Sequence, residues 1–370
     1  MKKEALAKAP QGADFAIFFT TLVLLGIGLV MVFSASYITS LETRGDAFFF
    51  LRRQGFWVLL GLTGMFFLAN FPYYRLRKFA PLLLVINFIL LLAIFIPGLG
   101  VEVNEARRWL GFGGLTIQPA EFTKISLIIF TAAFLSRKAN KIYDFWQTSF
   151  IPLLVLAISF GLILKQPDLG TALAIGATIA LMLFAAGMPL GQFFGLGLLA
   201  LPAVIYTVFA EEYRLRRLFS FLDPWEDPLG TGYHIIQSLY ALAPGGLFGV
   251  GLGRSRQKLY YLPEPQNDFI FAIIGEELGF IGAVTVILLF FILIWRGYKT
   301  AIMAPDSFGC LLAAGVTSMI AVQSLINIGV VTGSIPVTGI NLPLISAGGS
   351  SLFFTLCSIG ILLNISRYCA

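Results

Sequence analysis

Apolar runs of about 20 residues, the length needed to cross a hydrocarbon core, recur along nearly the whole chain with short polar connections between them. The pattern predicts ten helices, over 15–37, 55–71, 78–98, 120–136, 149–165, 169–187, 190–210, 269–295, 308–332 and 345–366. One polar interruption, 211–268, is long enough for structure of its own, and Tyr233-His234-Ile235-Ile236-Gln237-Ser238-Leu239-Tyr240 within it predicts a short interfacial helix. The expected fold class is all-α: a polytopic membrane protein of about ten transmembrane helices, built as a single integral membrane domain over 1–370 without a soluble domain.

Composition agrees. The 370 residues are 58% hydrophobic and 12% charged, about half the charged fraction of a soluble protein, and mean hydropathy is +0.88. The net charge of +6 does not point to nucleic acid, because Lys and Arg concentrate in short connections, where they set topology. Arg75-Leu76-Arg77-Lys78, Arg137-Lys138 with Lys141, and Arg296 with Lys299 form the consistently basic set. Both termini are then expected in the cytoplasm, with 99–119, the large loop 211–268 and 333–344 outside. Arg44, Arg52 and Arg53 count against this orientation, although Glu42 and Asp46 accompany them. Lys2, Lys3 and Lys8 precede an apolar run from Phe15 to Phe33, longer than a signal-peptide core, so a retained first helix is expected.

The remaining exclusions are short. Cys310, Cys357 and Cys369 lack disulfide or metal-ligand spacing, and the lone His234 forms no histidine cluster. No Gly-x-x-x-x-Gly-Lys-Ser/Thr phosphate loop is present, so ATP is not the energy source within the chain. Gly275 and Gly279 match the small-residue pattern for close helix packing.

Ionisable residues inside membrane helices are costly and mark pairs or wet cavities, and four clusters carry them. Arg107-Arg108-Trp109-Leu110 precedes Gln118-Pro119-Ala120-Glu121-Phe122-Thr123-Lys124. Glu121 and Lys124 share a helix face, either as a structural ion pair or as a stiff dipole that positions a functional group. Lys165-Gln166-Pro167-Asp168-Leu169-Gly170-Thr171 makes an outer corner; Asp168 suits a helix N-cap and, with Lys165, faces the same side as 211–268. A proline-stiffened loop ending in Gln266-Asn267-Asp268 opens the helix that carries Glu276 and Glu277. Asp268 is either a cap, with Asn267 competing, or a functional acid. Glu276 lies about 12 Å further along the axis, too deep to share its contacts, and Gln323 and Asn327 are the expected partners of the two glutamates. Upstream, a glycine-rich turn carries Arg254, Arg256 and Lys258, suited to a phosphate or pyrophosphate or to anionic lipid headgroups. Finally, 333–351 breaks the helix with prolines and glycines and gathers hydroxyls including Ser346 and Ser350. Irregular backbone at this depth is either a buried turn or the lining of a cavity.

In combination these stretches resemble the SEDS family (shape, elongation, division and sporulation) of bacterial cell-wall polymerases. The resemblance runs from about residue 14 to 366. It rests on Arg107-Arg108-Trp109, Gln118-Pro119-Ala120-Glu121 with Lys124, Gln166-Pro167-Asp168-Leu169-Gly170-Thr171-Ala172, Pro263-Glu264, Asp268-Phe269-Ile270-Phe271, Glu276-Glu277-Leu278-Gly279, Leu342-Pro343, and Gly348-Gly349-Ser350-Ser351 with Ser346. Gln237-Ser238-Leu239-Tyr240, Gly251-Leu252-Gly253 and Ser255-Arg256-Gln257-Lys258 are similar to the division and sporulation branch, FtsW-like or SpoVE-like. Many relatives carry His-Thr before the aspartate where this chain has Gln266-Asn267, so no histidine role is carried over.

The resemblance implies a peptidoglycan glycosyltransferase that polymerises lipid II into glycan strands at the outer face of the cytoplasmic membrane during division or sporulation. It also implies a class B penicillin-binding protein and divisome or sporulation cell-wall proteins as partners. It maps the essential aspartate to Asp268, the charge pair to Glu121 and Lys124, and the tryptophan to Trp109. Glycosyl transfer needs a base and a neutralised pyrophosphate. Asp268 is the expected base. Arg254, Arg256 and Lys258, or a divalent cation (Mg or Mn, with Asp268 as its candidate ligand), would meet the pyrophosphate, with Lys124 and Arg108 as further candidates. Substrate-binding residues are thus expected among Arg108, Trp109, Glu121, Lys124, Lys165, Asp168, Arg254, Arg256, Lys258, Ser346 and Ser350. A lipid II flippase or transporter is the alternative; polar residues gathered at one face rather than at the midplane, where transporters place their sites, favour the enzyme. A scaffold that only recruits a synthase is the third reading.

Overall fold

Peptide groups in hydrocarbon must pair within their own segment, and each of the ten predicted spans is helical. The structure, a computed structural model, describes residues 12–103, 106–112, 115–138, 142–259 and 261–369; Lys2, Lys3, Lys8, Lys141 and Tyr260 lie outside the described residues. The spans become α1 (Phe15–Arg44), α2 (Phe49–Asn70), α3 (Tyr73–Ala93), α4 (Pro119–Arg137), α6 (Phe150–Leu164), α7 (Leu169–Ala185), α8 (Leu190–Phe209), α11 (Ile270–Met303), α12 (Ser307–Val331) and α13 (Gly349–Ser366). The short α5 (Phe145–Thr148) precedes α6, and the long polar loop holds α9 (Glu212–Leu222) and α10 (Tyr233–Leu242). The protein is a multi-pass membrane protein. Among the described residues, α1, α3, α4, α8, α11, α12 and α13 meet both the length and the apolarity of a membrane span. By contrast, α6 and α7 are only 15 and 17 residues long, and α2 carries Arg52, Arg53 and Gln54 near its start.

The stretch 99–119, expected as a loop, is instead a three-stranded antiparallel sheet in the order β1 (Gly100–Val103), β2 (Ala106–Phe112), β3 (Leu115–Ile117). Val101 faces Trp109 and Glu102 faces Arg107, so Arg108 is the extra residue of a β-bulge. A bulge bends the strand and re-aims a side chain.

Helices α4, α12 and α13 form the interior of the bundle, whereas α8 has no buried residue. One end of the bundle is tied by polar caps. Asp14 caps α1 through Ala16 N and Ile17 N, pairs with Arg296 of α11, and donates its own N–H to Ser366 of α13. At the same end Asp306 caps α12, and Tyr73 N donates to Asn364.

The opposite end carries the polar clusters, and there α11 is broken. Gly279 has φ 68 and ψ −166, a region essentially confined to glycine, so residues 270–278 form a separate buried half-helix. Gly275 packs against Leu242, but Gly279 is a hinge rather than a packing residue: a Cβ there would lie 2.3 Å from Gly249 N. Gly279→Ala is expected to destabilise by about 1–3 kcal/mol from the backbone conformation alone, with the Gly249 clash added. Thermal unfolding of the purified variant checks this, and an unchanged midpoint would mean the break does not need glycine.

Candidate active site

Three consecutive carbonyls are pinned by three different donors just before the half-helix. Ala347 N donates to Gln266 O (2.9 Å), Ser346 Oγ to Asn267 O (2.7 Å) and Asn327 Nδ2 to Asp268 O (2.8 Å). The backbone of Asp268 is therefore fixed, while its half-buried carboxylate has no hydrogen bond or ion pair among the described residues. Nor does it cap the helix: the N-cap position of α11 is Phe269, without a side-chain cap. A carboxylate held in place yet unpartnered is costly unless something else uses it. Burial first, then the nearby Glu264 charge, push its pKa up from 3.8 to about 6; Arg217 and Arg108 pull down and Asp168 adds to the rise.

Gly339, at φ 74, backs onto this carboxylate: a Cβ there would sit 3.5 Å from Asp268 Oδ2. The same Gly339–Asn341 segment also lines a small polar cleft with Gln118, Glu121, Lys124, Thr171 and Ser351. Glu121 and Lys124, one turn apart at the start of α4, pair at 2.8 Å with both side chains buried. Asp268 and the ion pair thus both adjoin the Gly339–Asn341 segment.

The corner before α7 closes the third side. Asp168 caps α7 by accepting from Thr171 N (3.1 Å), as expected, and its second oxygen accepts from Gln118 Nε2 (3.1 Å). Arg108, re-aimed by its bulge, donates Nε to Gln166 O (3.1 Å) and Nη2 to Pro167 O. From α9, Tyr213 Oη lies within 3.5 Å of Pro167 O, and Arg217 Nη1 within 3.5 Å of Val337 O.

A family model described as a cell cycle protein of the FtsW, RodA and SpoVE type matches residues 15–370. This chain belongs to that family. It is similar to stage V sporulation protein E of Bacillus subtilis (strain 168), at 51% identity covering 96% of this chain and 97% of the relative. A probable peptidoglycan glycosyltransferase FtsW of Geobacter sp. (strain M18) is 43% identical over 96% of this chain and 97% of its own. Among solved structures, a chain from work on structural coordination of polymerization and crosslinking by a peptidoglycan synthase complex superposes with a TM-score of 0.79 at 31% identity, covering 96% of this chain and 98% of that one. The Thermus thermophilus rod shape determining protein RodA superposes at 0.71 and 28% identity, covering 96% and 97%.

Within this SEDS chain several expected site residues fall elsewhere. Lys258 is buried, pairing with Glu277 at 2.8 Å and donating to Ser34 Oγ at 3.2 Å, so its ammonium is not offered to a phosphate. Glu276 accepts from Ser255 Oγ and Arg256 N, and Glu277 from Ser34 Oγ and Ser255 N. The glutamates therefore hold the 255–258 loop, and the expected partners Gln323 and Asn327 do not bind them: Asn327 bonds Asp268 O and Ile340 O.

Arg254, Arg256 and Lys165 are exposed. Trp109 is half-buried opposite Val101 in the sheet and does not line the cleft. Ser346 and Ser350 are engaged with backbone: Ser346 also accepts from Leu342 N, and Ser350 Oγ accepts from Gln118 N. Arg217 is the residue that sequence reasoning missed. The only signal was the amphipathic run 212–222, where it is one of three arginines. Among the described residues no three His, Cys, Asp or Glu gather as a metal site. A divalent cation would rest on Asp268 and substrate phosphates, a combination magnesium accepts.

Proposed function

We propose that this chain is a peptidoglycan glycosyltransferase that polymerises lipid II, with the Asp268 end of the bundle facing outward and both termini in the cytoplasm. The observation that carries the reading is the positioned, unpartnered Asp268 carboxylate, within the field of Arg108 and next to the Gly339–Asn341 segment that lines the Glu121–Lys124 cleft. Asp268 takes the proton of the GlcNAc 4-hydroxyl of one substrate. The freed oxygen forms a bond to C1 of the second sugar as the C1–O bond to phosphate breaks, and the diphosphate leaves with the electron pair. An α-linked donor giving a β-linked product requires one inverting displacement. A base working near its own pKa suits this role, and fixed cations stabilise the departing charge. Arg108, whose charge reaches the base, and Lys124 in the adjoining cleft take the place of Lys258 as candidate cations. Glu121 pairs with Lys124 and so orients it.

Orientation follows from the basic connections: Arg75, Lys78, Arg137 and Lys138 flank the end where Asp14 and Asp306 cap. The enzyme works with a class B penicillin-binding protein that crosslinks the strand, at the septum or in sporulation. Labelled lipid II supplied to the purified protein in vesicles, with and without that partner, tests the reading. Polymer is the expected product. Movement of lipid II between leaflets without polymer would instead establish a transporter, and neither outcome would leave a scaffold.

A further inference from the structure

Arg108 and Arg217 come from distant stretches, a bulged strand and an amphipathic helix, and converge over the Pro167 corner. Arg108 Nη2 and Tyr213 Oη both reach Pro167 O, and Arg217 lies one turn beyond Tyr213 on α9. Its Nη1 is at Val337 O, two residues before the Gly339 that backs onto Asp268. Neighbouring Arg216 pairs with Glu212 on the exposed face of the same helix. Arg217 and Arg108 take part in no ion pair among the described residues. They are also the two cations whose charge reaches Asp268, and each lies within the other's field. Asp168, whose charge also reaches Arg217, already accepts from Thr171 N and Gln118.

Two like charges seated on carbonyls, with no carboxylate in ion-pair contact among the described residues, are complementary to a dianion. Guanidinium groups bind phosphate oxygens through paired, directional N–H bonds. We propose that Arg217 and Arg108 form a two-guanidinium clamp for the diphosphate of the lipid-linked sugar, with α9 as the arm that brings the second guanidinium to the base. The inference rests on the glycosyltransferase reading above. It assigns Arg217 a direct contact with the leaving group and gives α9 a chemical reason to lie across the site. One phosphate can satisfy one arginine; a diphosphate spans both.

The test compares native protein, Arg217→Gln, Arg217→Lys and Asp268→Asn, full length in vesicles with the class B partner. Binding of undecaprenyl pyrophosphate and undecaprenyl monophosphate is measured beside lipid II polymerisation. Native protein and Asp268→Asn should prefer the diphosphate. Arg217→Gln should lose about tenfold or more of that preference and about 10²-fold in turnover, with Arg217→Lys between them. A merely structural arginine would lower both affinities together. Retained diphosphate preference in Arg217→Gln overturns the clamp, whatever Asp268→Asn does. An active Asp268→Asn would sink the base and leave the clamp standing. A deficit that appears only when phosphatidylglycerol is present would assign Arg217 to phospholipid headgroups and likewise overturn the clamp. Should Arg217→Gln fail to fold, the same preference is read in Arg217→Lys, where an unchanged value is the overturning result.

Discussion

Asp268→Asn is expected to lower lipid II polymerisation by about 10²–10⁴-fold, the contribution of a general base, without lowering the melting temperature. The two halves of that expectation share a cause. Burial, with Glu264 behind it, raises the carboxyl pKa to about 6, so the folded protein favours the protonated acid over the ionised one. For a group shifted this way, the stabilising contribution is fully present below its ordinary 3.8 and is lost as pH rises through about 6. At neutral pH the ionised carboxylate is therefore a cost, which the amide removes while keeping the shape. Activity runs the other way. The base must be ionised to accept a proton, so turnover should fall as pH drops through about 6. A pH–rate profile and a thermal melt on the same preparation check both. Native turnover in Asp268→Asn, or turnover independent of pH between 5 and 7, would remove Asp268 from the chemistry.

Lys258→Met should show the opposite profile, with a large loss of stability. Lys258 and Glu277 have almost no exposed side-chain surface, and breaking such a pair from one side costs about 3–5 kcal/mol, because the remaining charge stays buried. Ser34 and Ser255 N would still bond Glu277 but cannot neutralise it. Removing both charges in Lys258→Met with Glu277→Gln should recover much of the loss, since a neutral pair of similar volume carries no stranded ion. Denaturation of the two variants and of Glu277→Gln alone closes the cycle. If Lys258→Met costs under about 1 kcal/mol, the pair is not what holds the 255–258 loop to the half-helix. Its activity should fall only as far as that loop loosens, since Lys258 lies outside the proposed chemistry.

Much of the architecture was legible because hydrocarbon leaves the backbone few options. Ten apolar runs became ten helices, with ends shifted by a few residues; α1 continued to Arg44 because its polar last turns stay helical beyond the apolar run. The sheet at 100–117 escaped notice because its strands are three to seven residues long, too short for alternation to stand out among loops. Lys258 looked like Arg254 and Arg256 in sequence, since spacing in a glycine-rich loop does not say which cation turns inward. Arg217 looked like any solvated helix cation beside Arg214 and Arg216. Gly279 read as one of many small residues, yet its φ breaks α11 just after the buried half-helix that carries Glu276 and Glu277.

The sequence by itself determined the medium, the number and order of the long helices, and the acid at the head of α11. Those follow from hydropathy, chain length and local polarity, which act residue by residue along the chain. Only the tertiary structure decided which charges answer one another. Partners such as Lys258 and Glu277, Arg108 and the Pro167 corner, or Asn327 and Asp268 are set by through-space distances between helices. Electrostatic cost depends on those distances and on burial, and neither is written in the spacing of residues along one chain.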